Sequence, residues 1–226
     1  MKDRRVVITG LGVLAANGIG KKAFWQANLD GKSGISLISL LRCFDTSPFQ
    51  TKIAGTIENF NPADFMAEIV AQKEDRFTQF ALAVAKMALV DSRLNLENEN
   101  CYRLGVVLGS GLGGMFFYEK QILLMQQYGY SKTHPAAISR IMPNAPASRV
   151  AIEFQLKGPN LTISTACTSG NHAIGQAVSF IKQNQAEIIF AGATEAPLVF
   201  YNFAGFDLAF LCFFVGALRT LPETKK

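Results

Sequence analysis

Histidine is nearly missing from this chain, whose 226 residues contain two, His134 and His172. Chemistry that needs a pair of imidazoles has only these to draw on. His134 precedes Pro135, which biases its backbone towards extended or turn conformations and marks it as a loop residue. Cysteine is also sparse: Cys43, Cys101, Cys167 and Cys212 show neither C-x-x-C spacing nor pairing with histidine. That pattern argues against zinc and against a disulfide framework, and no metal centre is expected. Runs rich in Lys and Arg, or basic residues interleaved with aromatics, are absent too, which speaks against nucleic acid. The net charge of +5, from 22 basic and 17 acidic residues, suits an acidic protein partner instead. The stretch from Met1 to Arg5, leading into a short strand-like run, is not a signal peptide, so a reducing cytoplasm is the expected location.

With 49% hydrophobic residues the chain can bury a sizeable core as one domain, or at most two. Short apolar runs predict strands over residues 6–8, 104–108, 161–166 and 188–190, the first of them buried. Helical spacing predicts helices over 22–29, 75–90, 116–127 and 150–154. Residues 32–65 read as mixed and loop-rich, and 129–147, with three prolines, as irregular. Strands alternating with helices indicate a layered α/β domain with a mixed, mainly parallel sheet flanked by helices.

The most informative thiol is Cys167. The β-branched run through Leu161, Thr162 and Ile163 stops at small residues, and a helical pattern through Ile174, Val178 and Ile181 begins. One sulfur is thereby placed at a strand-to-helix elbow, where the helix N-terminus offers free N–H groups and positive partial charge to a developing thiolate. A buried structural cysteine is the competing reading. His172 lies five residues further on, about 140° around the same helix, and is not aimed at the sulfur.

The string Thr165, Ala166, Cys167, Thr168, Ser169, Gly170, followed by His172 and Gly175, resembles the nucleophile segment of the β-ketoacyl-acyl-carrier-protein synthases, condensing enzymes of the thiolase fold. Further similarities run collinearly over about residues 4–206. They include Arg5 to Val13, Phe24 and Trp25, Gly31 to Ile35, Ile53 to Gly55, Asp75 to Phe80, Gly109 to Gly114, Ile141 to Asn144, and Gly158 with Pro159. The position of the cysteine is similar to that of elongating synthases. The resemblance implies a thiolase-like half: residues 1–206 as the N-terminal half of a ketosynthase and 207–226 as a divergent apolar tail. It also implies an acyl chain accepted on Cys167 for decarboxylative Claisen condensation in fatty acid or polyketide synthesis. Leu112 falls at a pocket-lining position. Lys73 and Arg76 border the entrance used by the phosphopantetheine arm of an acyl carrier protein, where a solvated helix end is the plain alternative. No cofactor beyond that carried arm is implied.

The two histidines that the family uses for condensation come from a C-terminal half that this sequence does not contain. The expectation is therefore an acyltransferase not condensation-competent alone. It would act as a homodimer, or as a heterodimer with a chain bearing the C-terminal half. A non-catalytic chain-length-setting or interaction subunit is the alternative, and retention of Cys167 favours the first.

Two motifs compete with this reading. Gly109 to Gly114 satisfies G-x-G-x-x-G, yet no Asp or Glu lies between Glu119 and Glu153 to hold a ribose hydroxyl. Tyr128 and Lys132 have dehydrogenase-like spacing, but Gly129 between them is a poor helix former. In the tail, residues 208–218 are apolar throughout. The run alone is too short to cross a bilayer, and extending it back to Pro197 includes Asp207, so a membrane span is disfavoured. Packing against a partner and a truncated or shifted reading frame both remain open.

Overall fold

The computed structural model describes residues 4–38 and 44–219, with side chains through Ala209. Two small antiparallel hairpins come first. β1 (Leu14–Ala15) pairs with β2 (Gly18–Ile19), helix α1 (Lys21–Leu29) follows, and β3 (Ile35–Leu37) pairs with β4 (Ile53–Gly55). Helices α2 (Glu68–Lys73) and α3 (Arg76–Ser92) lead into β5 (Leu104–Gly109). Next come α4 (Met115–Tyr128), α5 (Ala137–Ile141), α6 (Ala145–Glu153) and β6 (Asn160–Ile163). The chain continues through α7 (Ser169–Lys182), β7 (Ile188–Ala193) and α8 (Phe200–Arg219).

The core is organised by β5, which lies between β6 and β7 and runs parallel to both. Parallel neighbours require crossovers, and α4 to α6 and then α7 supply them. All six residues of β5 are buried, as its continuous apolar sequence requires of a strand covered on both faces. Side-chain alternation divides it between two clusters. Leu104, Val106 and Leu108 pack with Leu82, Ala85, Ala147 and Val150 of α3 and α6, whereas Val107 packs with Ala173 and Ala177 of α7. Each fully buried Leu or Val contributes roughly 1.5–3 kcal/mol. This three-layer arrangement matches the layered α/β expectation.

Several boundaries differ from those predicted. Residues 6–8 form no strand, and Val7 and Ile8 are 61% and 79% exposed rather than buried. A strand needs a ladder partner, and among the described residues none pairs with this segment. Instead the chain runs along the C-terminal half of α3, where the Leu11 N–H donates to Asp91 (3.0 Å). Helix α6 starts at Ala145, within the stretch read as irregular, because a proline in the first helical turn is tolerated there. β6 stops at Ile163, three residues short of the prediction, and β7 runs on to Ala193.

Helix α8 passes through residues 206 and 207 without a break. Asp207 accepts hydrogen bonds from the backbone N–H groups of Gln50 and Thr51, and the Thr51 side chain together with these N–H groups holds its carboxyl below the usual range. Among the described residues no helix is long and apolar enough to cross a membrane. The apolar tail lies mostly outside the described side chains.

Candidate active site

Between β6 and α7 the chain reverses within five residues, and Cys167 sits in that turn with its side chain exposed. Ala166, immediately before it, has φ 51°. A non-glycine residue in the left-handed region costs about 1–3 kcal/mol and persists only when its surroundings hold it. Ser169 does much of that holding. Its buried hydroxyl donates to the Ala166 carbonyl (2.6 Å) and accepts from the Thr165 N–H (2.9 Å), while its own N–H also donates to the Ala166 carbonyl (3.0 Å). The elbow predicted from small residues is therefore present, fastened by the Ser169 hydroxyl, to which the sequence alone gives no role.

Gly109 lets this elbow sit tightly against the end of β5. A Cβ on that glycine would lie 2.5 Å from the Ser169 carbonyl carbon, so a side chain there would push α7 away. His172 stands one turn into α7, exposed, its Nδ1 2.8 Å from the Thr165 hydroxyl. His134 lies elsewhere: its Nδ1 accepts from the Ala136 N–H and its ring meets Phe117 edge-on. Neither histidine hydrogen-bonds to Cys167 among the described residues, in keeping with the helix spacing that turns His172 away from the sulfur.

The glycine-rich segment after β5 forms the neighbouring wall. Glu195, just beyond β7, reaches across with Oε1, which accepts from the Ser110 hydroxyl (3.2 Å) and from the N–H groups of Gly111 and Leu112 (3.2 Å for Leu112). A carboxylate thus occupies the N–H groups that a dinucleotide phosphate would need, which removes the physical basis of the G-x-G-x-x-G reading. The Tyr-x-x-x-Lys spacing also dissolves: Tyr128 ends α4, Gly129 caps it with φ 86°, and Lys132 lies in a separate turn. Leu112 is 41% exposed and carries its side chain on the segment pinned by Glu195.

Lys73 is exposed in the last turn of α2. Arg76 opens α3 and is half-buried, its guanidinium 5.0 Å from the Phe60 ring and 4.9 Å from the Phe80 ring, and it donates to the Ile57 carbonyl. Between these two residues Asp75 caps α3 from a buried position. It accepts from the Phe77 N–H (3.1 Å) and the Phe117 N–H (2.6 Å), yet burial pushes its carboxyl up to about 6. A 520 Å³ recess bordered by Asn17, Ser36, Thr56 and Glu58 lies between the two hairpins and shares no residue with the elbow. Among the described residues, no group of three His, Cys, Asp or Glu side chains could hold a metal ion.

A family model described as Beta-ketoacyl synthase, N-terminal domain, matches residues 3–213. The chain belongs to the β-ketoacyl synthase family. It is 41% identical over 206 residues to 3-oxoacyl-[acyl-carrier-protein] synthase 2 of Coxiella burnetii, an alignment covering 91% of this chain and 49% of that protein. It therefore spans about half the length of the curated relatives it matches. A β-ketoacyl synthase from Burkholderia phymatum superimposes with TM-score 0.75 at 25% identity, covering 90% of this chain and 49% of that one. The ishigamide ketosynthase/chain length factor superimposes with TM-score 0.84 at 24% identity, over 92% of this chain and 51% of that one, a likeness of fold. The layered sheet described above is accordingly a thiolase-like ketosynthase half.

Two polar residues around Cys167 have no assignment from the sequence. Ser169 lies two residues after Cys167, and Glu195 two residues beyond the end of β7. Nothing in local periodicity announces either role: Ser169 bonds to backbone three and four residues before it within the turn, and Glu195 to a segment that only the fold brings close.

Proposed function

We propose that Cys167 accepts an acyl group as a thioester from the phosphopantetheine arm of an acyl carrier protein. The observation that carries this reading is an exposed thiol on a strained turn at the start of a helix. The sulfur, as thiolate, adds to the thioester carbonyl and the oxyanion of the tetrahedral adduct takes a hydrogen bond from the Cys167 N–H. Collapse of the adduct expels the phosphopantetheine thiolate, which takes a proton from solvent, and leaves the acyl group on Cys167. In this proposal Leu112 borders the acyl chain and the protein needs no cofactor of its own.

The remaining step, decarboxylation of a malonyl thioester and attack of the resulting enolate, requires donors at the enolate oxygen. The histidines present are engaged with Thr165 and with Ala136 and Phe117. Condensation is therefore assigned to a C-terminal half, on a longer form of this polypeptide or on a partner chain in a heterodimer, with a homodimer as the simplest assembly. Cytoplasmic fatty acid or polyketide synthesis is the setting proposed. Carrier docking rests on Lys73 more than on Arg76, whose guanidinium already serves the packing of Phe60 and Phe80.

The test is to incubate the full chain with an acyl carrier thioester and map adducts by peptide mass spectrometry. An acyl adduct on Cys167 that disappears in Cys167→Ser is the expected result. No adduct, with or without a C-terminal half present, would favour the non-catalytic, chain-length-setting subunit.

A further inference from the structure

Glu195 joins three parts of the site that are distant in sequence. Its backbone is held from two directions, because the preceding Thr194 donates its N–H to the Gly109 carbonyl (3.1 Å) and its hydroxyl to the Phe77 carbonyl (2.6 Å). From this fixed base the carboxylate pins Ser110, Gly111 and Leu112 through one oxygen. Its other oxygen, Oε2, is buried without a partner among the described residues. Gly111 is packed between this carboxylate and the nucleophile elbow: a Cβ built on it would lie 3.5 Å from Glu195 Oε1 and 3.6 Å from the Ala166 Cα. Any movement of Glu195 is thus transmitted to the backbone adjoining Cys167 and to the Leu112 side chain. Ser110 reinforces the segment, its hydroxyl accepting from the Gly113 N–H (3.2 Å).

We propose that Glu195 is a positioning residue that sets the 110–112 segment against Cys167, and so decides how long an unbranched apolar chain on the sulfur fits beside Leu112. For acyl chains this rests on the acyl-acceptor reading above; the geometric claim does not. A carboxylate suits the task because a single oxygen can accept several N–H and O–H donors at once, and charge strengthens each of those bonds.

The probe is alkylation by N-ethylmaleimide and N-hexylmaleimide, in which the thiolate sulfur bonds to one alkene carbon and water protonates the other, with no leaving group. Rates at Cys167 are read by peptide mass spectrometry on the full chain. Glu195→Ala should change the hexyl-to-ethyl rate ratio by about tenfold, the scale expected of a modest misplacement at a reacting centre. Glu195→Gln keeps an amide oxygen as acceptor and should stay within about twofold of the parent. Leu112→Ala should move the ratio in the same direction as Glu195→Ala, and adding Glu195→Ala to Leu112→Ala should change it little further. An unchanged ratio in Glu195→Ala, or both rates falling by one common factor, overturns the proposal and leaves Glu195 a purely stabilising residue. Should Glu195→Ala not fold, Glu195→Asp carries the same expectation, since it keeps the charge and shortens the arm by one methylene, and an unchanged ratio there is equally fatal. Short-chain and long-chain acyl thioesters of N-acetylcysteamine form the second arm. Alkylation with a length-dependent ratio but no acylation would defeat the acyl-acceptor reading while leaving the positioning role standing.

Discussion

The two ends of α3 carry one aspartate each, and the two behave in opposite ways. Asp75 at the N-terminus is buried beside Phe77 and Phe117, and loss of solvent drives its carboxyl up to about 6 even though two backbone N–H groups donate to it. Asp91 near the C-terminus lies at the surface. Bonds from Lys21 and the Leu11 N–H hold its carboxyl below the usual range. Both aspartates do the same local work of accepting backbone donors. The difference comes from what surrounds each end: the glycine-rich segment and the start of α4 at one, and an exposed segment that pairs with no strand among the described residues at the other. Solvent, not hydrogen-bond count, decides the sign.

The largest test of this contrast is a matched pair of truncations. Leu82→Ala, at a position 2% exposed on the core face of α3, should cost about 2–5 kcal/mol in denaturant unfolding. Ile8→Ala, in the segment along the other end, should stay within about 0.5 kcal/mol. Equal losses would mean that residues 6–8 are buried in solution and that the contrast is false.

A second test uses pH. Since the folded-state pKa of Asp75 is raised, the fold binds its proton more tightly than the unfolded chain does. Its contribution is therefore complete below about pH 4 and is lost as pH rises through about 6, a change of roughly 3 kcal/mol at most. Asp75→Asn cannot ionise, so its stability relative to the parent should improve across that window, as read by melting temperature at pH 4, 5, 6 and 7. A flat difference would show that Asp75 is solvated.

Ser169→Ala should cost about 1–3 kcal/mol, because it strips a buried donor from the Ala166 carbonyl and a buried acceptor from the Thr165 N–H. It should also slow alkylation of Cys167 by iodoacetamide. The smallest effect is expected at the exposed end: Asp91→Asn should lower the melting temperature slightly at low salt and not measurably in 1 M NaCl. Lys73→Glu belongs to the same surface class. It should weaken carrier association more at low ionic strength than at high, and equal loss at both would count against docking.

Much of the fold was legible because its signals are local. Helical spacing from Phe77 to Ala88 marked α3, the β-branched and glycine-bounded run at Leu104 marked β5, and the abrupt change of residue size at Cys167 marked the elbow. The misreadings have separate physical causes. Val6, Val7 and Ile8 have strand composition, but pairing is a property of two segments and cannot be read from one. Pro146 suggested an irregular stretch, although proline fits the first turn of a helix as well as it fits a loop. Glu195 and Ser169 carry no periodic signal, since each accepts or donates hydrogen bonds at particular groups rather than presenting a face to a core.

The sequence by itself determined where the Cys167 sulfur sits, between a strand and a helix, because backbone turning and residue size act over a few neighbouring positions. Only the tertiary structure decided what packs against that turn. A carboxylate from beyond β7 pins the glycine-rich segment beside the elbow, and a glycine at the end of β5 lets the elbow sit close, since close approach of segments tens of residues apart depends on how whole layers pack.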